Sequence, residues 1–389
     1  MIRKSSTVLA LATILLLGLG IVMLCSTGIF APEAKRDLYY TAKRQGVWIG
    51  IGLVVAAITT TVDYRSWLKL SWVGYGIGAI ALICCFVPGI AALNDAGEPI
   101  NGSYRWLGFG TLRVQPSEFA KLALLVVLAA WFARRIDESR QFLSGFFFPG
   151  LIMAVPVGLI LMETDLGTAG LMALAGLAVM FAAGTKLRYL ATIAAVALGG
   201  IALMITQMPN RAERFLAFLD IEAHKLDYAL QPYRAMIAFG SGGITGVGLG
   251  DGRQKMLYLP FAHTDFIFPM IGEELGLVAT LSVVLAFVVI AVCGAFISSC
   301  APDPFGRLLG FGIVVLIVGQ AIINIGVTTA VLPTKGIPLP FVSYGGSNLL
   351  CCLASIGILL NIARQARTPA DTDTSLLARS EKVTPRLGA

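Results

Sequence analysis

Charged residues are scarce in this chain. Asp, Glu, Lys and Arg make up 13% of its 389 residues, whereas soluble globular proteins contain about 25%. Hydrophobic residues make up 57%, which excludes an ordinary soluble domain and predicts a membrane protein. The net charge of +7 is modest for this length, and the basic residues are scattered between apolar segments. We therefore expect no nucleic-acid binding.

The sequence also lacks a metal-binding or disulfide pattern. Its seven cysteines lie inside or beside apolar runs without the spacing of a zinc site, so we interpret them as small membrane-buried residues. The apolar run from Thr7 to Phe30 is longer than the core of a signal peptide and has no A-x-A site. It is predicted to be a retained first span. No internal repeat indicates a transporter built from inverted halves.

Apolar windows of about 20 residues, the length that crosses a bilayer, predict an all-α polytopic membrane protein with about ten transmembrane helices. The windows fall near 7–30, 45–62, 71–93, 117–134, 145–163, 165–183, 187–207, 267–297, 306–332 and 342–364. The membrane domain therefore covers 1–365, with a large extracytoplasmic loop at about 208–264 between helices 7 and 8. The polar segment 366–389 is predicted to be a disordered cytoplasmic tail.

The distribution of Lys and Arg predicts the orientation. An even number of spans places both termini on one side, and the positive-inside rule makes that side cytoplasmic. The first outer loop also contains four cations, which weakens the charge argument: Lys35, Arg36, Lys43 and Arg44. The predicted cytoplasmic side receives Arg3, Lys4, Arg65, Lys69, Arg134, Arg135, Arg140, Lys186, Arg188, Arg307, Arg364 and Arg367.

One stretch, LPFAHTDFIFPMIGEELG at 259–276, places several ionisable groups where an apolar segment begins. Such groups are costly in hydrocarbon unless they are paired or hydrated. Asp265 is a candidate general base, because partial desolvation raises the pKa of a carboxyl group; a helix N-cap is the alternative. His263 is a partner, a substrate contact or an interfacial residue. Glu273 and Glu274 either cap and pair within the helix bundle or line a cavity.

The loop before Asp265 contains seven glycines between positions 240 and 252. Backbone of this composition can turn sharply and expose N–H groups to an anion. A compact turn-rich loop without a ligand is an equal alternative. The dinucleotide-binding register G-x-G-x-x-G after a strand is absent.

A second cluster, RWLGFGTLRVQPSEFAKL, combines cations with a helix start at Pro116. Glu118 and Lys121 stand three residues apart on one helix face, where they can neutralise each other as a structural ion pair. Alternatively they line a hydrated cavity in which Arg105 and other cations hold phosphate and the carboxylate positions substrate or a divalent ion. Asp165, in METDLGT, is another acid at a helix start, with an N-cap as its alternative.

A third cluster, LPTKGIPLPFVSYGGSN at 332–348, contains three prolines and three glycines between two spans. Such backbone cannot face lipid, so it is predicted to be buried in protein or to line a water-filled cavity. Lys335 is its only cation, and Ser343 adds a hydrogen-bonding group. Gln320 and Asn324 face the same space or, as we favour, hydrogen-bond between helices.

The three clusters together resemble the SEDS family of bacterial shape, elongation, division and sporulation proteins. RW with QPSEFAK, then AFGSGG, GLG, QK, YLP, HTDFIF and GEELG, and finally LP-x-KGIPLPFVSYGGSN follow in the family's order across nearly the whole chain. The segments look more like the division-type branch than the elongation-type branch. The resemblance implies a peptidoglycan glycosyltransferase that polymerises lipid II on the outer face of the bacterial cytoplasmic (inner) membrane, at the division septum.

The resemblance also implies partners and site residues. Its substrates would be lipid II and the growing undecaprenyl-pyrophosphate-linked glycan, and its partners a class B penicillin-binding transpeptidase and other division proteins. The family's essential acid falls on Asp265. Related sequences often have acids where this chain has Leu257 and Phe261, a departure that spares Asp265. The candidate substrate-binding residues are Arg105, Glu118, Lys121, Asp165, Lys255, His263, Lys335 and Ser343.

The expected reaction joins the C4 hydroxyl of an acceptor sugar to the anomeric carbon of a donor, with inversion and loss of a lipid pyrophosphate. Asp265 would accept the hydroxyl proton, a contribution of about 10²- to 10⁴-fold. Arg105, Lys121, Lys335, the glycine-rich loop and Mg²⁺ or another divalent cation are candidates for holding the leaving group. No organic cofactor is expected. A lipid II transporter (flippase) and a non-catalytic division scaffold are the rival functions.

Overall fold

The computed structural model describes residues 1–30, 37, 39–87, 90–92, 103–109, 112–207, 209–256 and 258–366. Within these ranges the chain is nearly all helical. Three features of the sequence interpretation lie outside them: the tail beyond 366, the cations Lys35 and Arg36, and the departure at Leu257.

Each of the ten predicted spans overlaps one helix of the described chain; the third, predicted at 71–93, corresponds to α3 at Arg65–Cys84. The segment between the seventh and eighth spans, read from sequence as a loop, contains two further helices, α8 and α9. A short hairpin of β1 (Leu107–Phe109) and β2 (Leu112–Val114), which the sequence did not predict, precedes α4. The helices are α1 Ile2–Thr27, α2 Tyr40–Thr61, α3 Arg65–Cys84, α4 Pro116–Arg134, α5 Phe148–Met162, α6 Leu166–Ala182, α7 Leu187–Gln207, α8 Pro209–Leu219, α9 Leu230–Gly242, α10 Ile267–Ser299, α11 Pro304–Thr328 and α12 Gly346–Gln365.

The helices have the length and composition of membrane spans. Among the described residues, seven segments are long and apolar enough to cross a bilayer, and α6 and the start of α7 are shorter apolar helices. The chain is therefore a polytopic membrane protein, as predicted, while the exact number of crossings stays a prediction. The seven are Ile2–Phe30, Arg65–Cys84, Pro116–Arg134, Leu143–Met162, Ile267–Ser299, Pro304–Thr328 and Gly346–Gln365.

The centre of the bundle is formed by α4, α11 and α12, whose most apolar windows are 72%, 67% and 83% buried, against 17% for α3. Helices approach one another most closely at small residues. This is expected in a membrane, because the hydrophobic effect does not drive helices together in lipid and close packing has to do so. A Cβ atom on Gly357 of α12 would lie 2.5 Å from the carbonyl oxygen of Ala56 in α2. The hydroxyl of Thr59 donates to the carbonyl of Ala354 at 3.2 Å, so α2 packs directly on the α12 backbone.

Helix α10 is broken at Gly276, whose φ of 77° is non-helical. An unbroken helix of 33 residues would be about 50 Å long, against about 30 Å for the bilayer core. The break releases the carbonyls of Glu273 and Glu274, which accept hydrogen bonds from Val247 N at 2.9 Å and Gly248 N at 3.1 Å. The glycine-rich segment is thereby held against the short first part of α10, residues 267–275.

Candidate functional site

Asp265 lies immediately before α10. It ends the segment between α7 and α10, which we call the outer segment after its predicted side of the membrane. The helix N-cap is Phe266 and no side chain caps it, so the N-cap alternative for Asp265 is wrong. Its carboxylate is partly buried. It faces the last loop, the connection between α11 and α12, since a Cβ on Gly336 would lie 2.8 Å from Oδ2 of Asp265. Burial, followed by the charge of Asp165, raises the pKa of Asp265 to about 7, with Arg105 acting in the opposite direction. Near neutral pH this carboxylate can both accept and release a proton.

Arg105 and Asp165 form an ion pair beside Asp265. Nη1 of Arg105 lies 3.6 Å from Oδ2 of Asp165, and the Arg105 side chain is 29% exposed. The guanidinium also donates to Ser103 Oγ at 2.7 Å and to the carbonyl of Thr164 at 3.3 Å. Asp165 is at the same time the N-cap of α6, accepting from Thr168 N at 3.0 Å. Asp165 is therefore both the N-cap of α6 and the ion-pair partner of Arg105, while any contact of Asp165 with substrate stays a prediction. The exposed part of Arg105 is available to an anionic group.

The second half of the last loop, residues 337–343, is mostly buried, whereas residues 331–336 are partly or fully exposed. The loop is hydrogen-bonded to the segment before Asp265. The hydroxyl of Ser343 donates to the carbonyl of Thr264 at 2.6 Å and accepts from Leu339 N at 2.8 Å. Tyr344 N donates to the carbonyl of His263 at 3.1 Å. Ser343 thus positions the chain beside Asp265, and any contact of Ser343 or His263 with substrate stays a prediction.

Two amide side chains of α11 donate hydrogen bonds to the same loop. Nδ2 of Asn324 donates at 2.7 Å to the carbonyls of both Asp265 and Ile337. Nε2 of Gln320, one helical turn away, donates to the carbonyl of Pro338 at 2.9 Å. The favoured helix-to-helix bonding is present for Gln320, whose Oε1 accepts from Lys121 of α4 at 3.2 Å, whereas both amide NH2 groups donate to loop carbonyls. Because backbone without regular structure must satisfy its polar groups inside a membrane protein, these bonds stabilise the loop conformation.

Glu118 and Lys121 form a buried ion pair within α4. The charged atoms are 2.9 Å apart, and the Lys121 and Glu118 side chains are 3% and 4% exposed. Nζ of Lys121 also donates to Oε1 of Gln320 at 3.2 Å. The structural alternative proposed for this pair is therefore present, and through Gln320 the pair supports the last loop. A direct role in substrate binding stays a prediction.

Lys255 and the two glutamates of GEELG organise the glycine-rich segment. Nζ of Lys255 lies 2.6 Å from each of Glu274 Oε1, Ser26 Oγ and the carbonyl of Gly250, and its side chain is 2% exposed. Glu273 accepts from Arg253 N at 2.8 Å. Both glutamates thus cap and pair within the protein. The structure places Lys255 in a buried ion pair, so its predicted substrate contact would require this pair to open.

The N–H groups of the glycine-rich segment are mostly used inside the protein. Gly246 N donates to the carbonyl of Gly242 at 2.8 Å, Val247 and Gly248 donate to the broken helix, and Gly250 N donates to Glu274 Oε2 at 3.0 Å. This geometry agrees with the alternative of a turn-rich loop without a ligand. In the last loop, Lys335 is partly exposed and remains a candidate cation for the leaving group.

Glu163, the last residue of the fifth predicted span, was not among the predicted site residues. Its side chain is buried, and neither carboxylate oxygen accepts a hydrogen bond from a nitrogen or oxygen atom of the described residues; the thiol of Cys85 is its hydrogen-bonding neighbour. Burial and then the charge of Asp165 raise the pKa of Glu163 to about 8, while Arg105 lowers it. The signal in the sequence was an acid set directly between two apolar runs, which is costly without a function or a partner.

The donor set does not form a metal centre. In the part of the chain that the structure describes, no three His, Cys, Asp or Glu side chains come close enough to hold a metal ion. These residues therefore do not form a cage that holds a divalent cation by protein ligands alone. A divalent cation held by one or two carboxylates together with substrate phosphates stays a prediction.

Comparison with known proteins gives similar sequences across nearly the whole chain. The sequence pattern of the cell cycle proteins FtsW, RodA and SpoVE matches residues 7–368. A probable peptidoglycan glycosyltransferase FtsW of Geobacter metallireducens is 37% identical over 371 residues, which cover 95% of this chain and 97% of the relative.

Solved structures show the same fold. One, described as "Structural coordination of polymerization and crosslinking by a peptidoglycan synthase complex", is 28% identical with a TM-score of 0.75 and covers 92% of this chain and 96% of that one. The rod shape determining protein RodA of Thermus thermophilus is 25% identical with a TM-score of 0.66, covering 92% and 97%.

Proposed function

The chain belongs to the FtsW, RodA and SpoVE family of cell cycle proteins, and we propose that it is a division-type peptidoglycan glycosyltransferase, similar to FtsW. It polymerises lipid II on the outer face of the cytoplasmic membrane, at the septum, with both termini in the cytoplasm. Its partner is a class B penicillin-binding transpeptidase. Support for the reaction comes above all from one observation: the carboxylate of Asp265 is partly buried at the start of α10, beside the ion pair of Arg105 and Asp165.

In the proposed reaction Asp265 accepts the proton of the acceptor C4 hydroxyl. The oxygen forms a bond to the donor's anomeric carbon on the face opposite the lipid pyrophosphate, whose bond to that carbon breaks as the pyrophosphate leaves with its electron pair. A carboxylate whose pKa lies near the working pH is well matched to this role, worth about 10²- to 10⁴-fold in rate. Arg105, which is 29% exposed, and Lys335 are the proposed cationic contacts of the departing pyrophosphate.

The neighbouring residues position this base. Asn324 fixes the backbone of Asp265 and of the last loop with one amide. Asp165 holds Arg105 at 3.6 Å and its negative charge keeps the pKa of Asp265 high. Since neither Asn324 nor Asp165 needs to touch the reacting atoms, we assign them positioning roles.

Polymerisation of purified lipid II by the reconstituted protein tests the proposal. We expect glycan strands from the wild type and at least a hundredfold loss in Asp265→Asn. Asp227→Asn, which changes an exposed acid of the same outer segment, is the matched control and should retain activity. The assay is repeated with and without the cognate transpeptidase and with a chelator.

The rival functions give different results. A flippase would move lipid II across the bilayer of vesicles without forming polymer. If the protein were a non-catalytic scaffold, cells that carry the Asp265→Asn variant would grow normally. Either result, with the variant shown to be folded, would contradict the assignment of Asp265 as the base.

A further inference from the structure

The end of the bundle opposite Asp265 carries a surface built from two connections, α4 to α5 and α6 to α7. The hydroxyl of Thr185 donates to the carbonyl of Gly145 at 3.1 Å, so the two connections are joined. Nε1 of Trp131 donates to the carbonyl of Ser144 at 2.9 Å, which fixes the first connection to α4. The surface, residues 134–148 together with 184–189, is thus one ordered unit at the membrane boundary.

Positive charge on this surface is not neutralised. Five cations are exposed, and none of them forms an ion pair with a residue that the structure describes. The acids of the surface are Asp137 and Glu138, and Glu138 accepts a hydrogen bond from Ser144 Oγ at 2.9 Å. The excess charge favours an anionic ligand. The cations are Arg134, Arg135, Arg140, Lys186 and Arg188.

Exposed aromatic and aliphatic side chains lie among these cations. The Phe146 and Tyr189 rings stack at 5.1 Å, and Phe142 contacts Tyr189 at 5.9 Å. Phe142 is 51% exposed and Leu187 is 70% exposed. Two of the cations lie over rings of the same surface: Arg188 over Tyr189 at 4.9 Å and Arg135 over Trp131 at 4.0 Å.

We propose that this surface binds an anionic phospholipid of the adjoining leaflet. The cations of both connections hold the headgroup phosphate, while an acyl chain packs on Phe142 and Leu187. Basic pockets between membrane helices suit such headgroups, and aromatic side chains are favoured at the same depth. A lipid is the ligand class that uses the charge and the exposed apolar side chains together; an acidic protein segment would use only the charge.

Quenching of Trp131 tests the proposal, since this ring lies under Arg135. The full-length protein in mixed micelles is titrated with phosphatidylglycerol or phosphatidylcholine carrying brominated acyl chains, with Trp131→Phe identifying the signal of this ring. We expect phosphatidylglycerol to quench Trp131 at a concentration at least tenfold lower than phosphatidylcholine. Each cation removed should weaken binding roughly fivefold, so Arg140→Gln with Lys186→Gln should weaken it about 25-fold.

Control variants separate a specific site from general attraction to a membrane. Arg140 and Lys186 are exposed, so their replacement should not disturb folding; Arg135→Gln with Arg188→Gln provides a second pair. Arg3→Gln with Lys4→Gln removes two exposed cations at the same end of the bundle and should leave quenching unchanged. Equal quenching by the two lipids, equal loss in the Arg3 and Lys4 variant, or displacement of the lipid by a polyglutamate peptide at lower concentration would each overturn the proposal.

Discussion

Gly336 lies so close to Asp265 that a Cβ atom at position 336 would come within 2.8 Å of the carboxylate oxygen Oδ2. Real Cβ atoms need more room, so any larger residue would push on the proposed base. A substitution here therefore probes the orientation of Asp265 without changing its chemistry.

We predict that Gly336→Ala lowers the polymerisation rate by about tenfold or more while the protein stays folded, because small misplacements of a reacting group are costly. Gly74→Ala is the matched control, since a Cβ at position 74 in α3 meets nothing within 4 Å. The measurement is the initial rate of lipid II polymerisation together with the melting temperature in detergent. Wild-type activity in Gly336→Ala would show that the position of Oδ2 is not critical.

The activity should rise with pH through about 7. The pKa of Asp265 is about 7 and the base must be ionised, so at pH 6 roughly one tenth of the plateau rate is expected. Asp165→Asn removes the second cause of the raised pKa, and the midpoint of the profile should move to lower pH. Rates between pH 5 and 9 provide the check; a flat wild-type profile would contradict the assignment of this group.

The raised pKa of a second carboxyl group, that of Glu163, predicts how the stability of the fold depends on pH. A carboxyl whose pKa is higher in the folded state stabilises the fold below its unfolded pKa, near 4, and this contribution is lost as pH rises through the folded value. For Glu163 the folded value is about 8. The wild type should therefore lose stability between pH 5 and 8.5.

Glu163→Gln should flatten this loss and melt at a higher temperature than the wild type at pH 8.5. Glu213→Gln, at an exposed position of α8, is the control and should leave the wild-type dependence in place. Melting temperatures of the three proteins at pH 5, 7 and 8.5 test the prediction. Parallel pH curves for wild type and Glu163→Gln would show that Glu163 does not hold a proton in the fold.

Breaking the Lys255–Glu274 pair should be strongly destabilising. Its side chains are 2% and 0% exposed, and removing one partner of a buried pair costs about 3–5 kcal/mol. Lys255→Met and Glu274→Leu should each show this loss, and the double variant should recover part of it. The measurement is a double-mutant cycle of unfolding free energies.

The exposed pair Lys225 and Glu222, 41% and 74% exposed, offers the comparison. Replacing Lys225 by Met should leave the free energy of unfolding nearly unchanged, because an exposed ion pair contributes little to stability. Additive losses at Lys255 and Glu274 would mean that the two charges do not depend on each other.

The helices could be predicted because a span is a local property of about 20 consecutive residues. Pro116 begins α4 as predicted, with the proline in the first turn of the helix, and the pairing of Glu118 with Lys121 follows from spacing along one helix. The burial of residues 337–343 in the last loop follows from the cost of irregular backbone in lipid.

The contacts around the glycine-rich segment could not be predicted in the same way. Ser26 and Glu274 are 248 residues apart in sequence, and they meet because α1 packs against α10. The dual bond of Asn324 to Asp265 and Ile337 likewise depends on how the last loop folds over α11. The ionisable residues could be identified from the sequence, but which of them form ion pairs depends on the tertiary structure.

The interruption at Gly276 divides α10 into two parts. Continuous helices transmit displacement along their axis, whereas here the ladder of hydrogen bonds ends at the junction and the freed carbonyls hold the outer segment instead. Leu277 N and Val278 N, on the far side of the break, donate to the carbonyls of Gly243 and Ile244 at 3.0 and 3.4 Å. The glycine-rich segment therefore bridges the two parts of α10 and takes the place of the interrupted turn, so that the piece next to Asp265 is coupled to the membrane part of the helix through this segment.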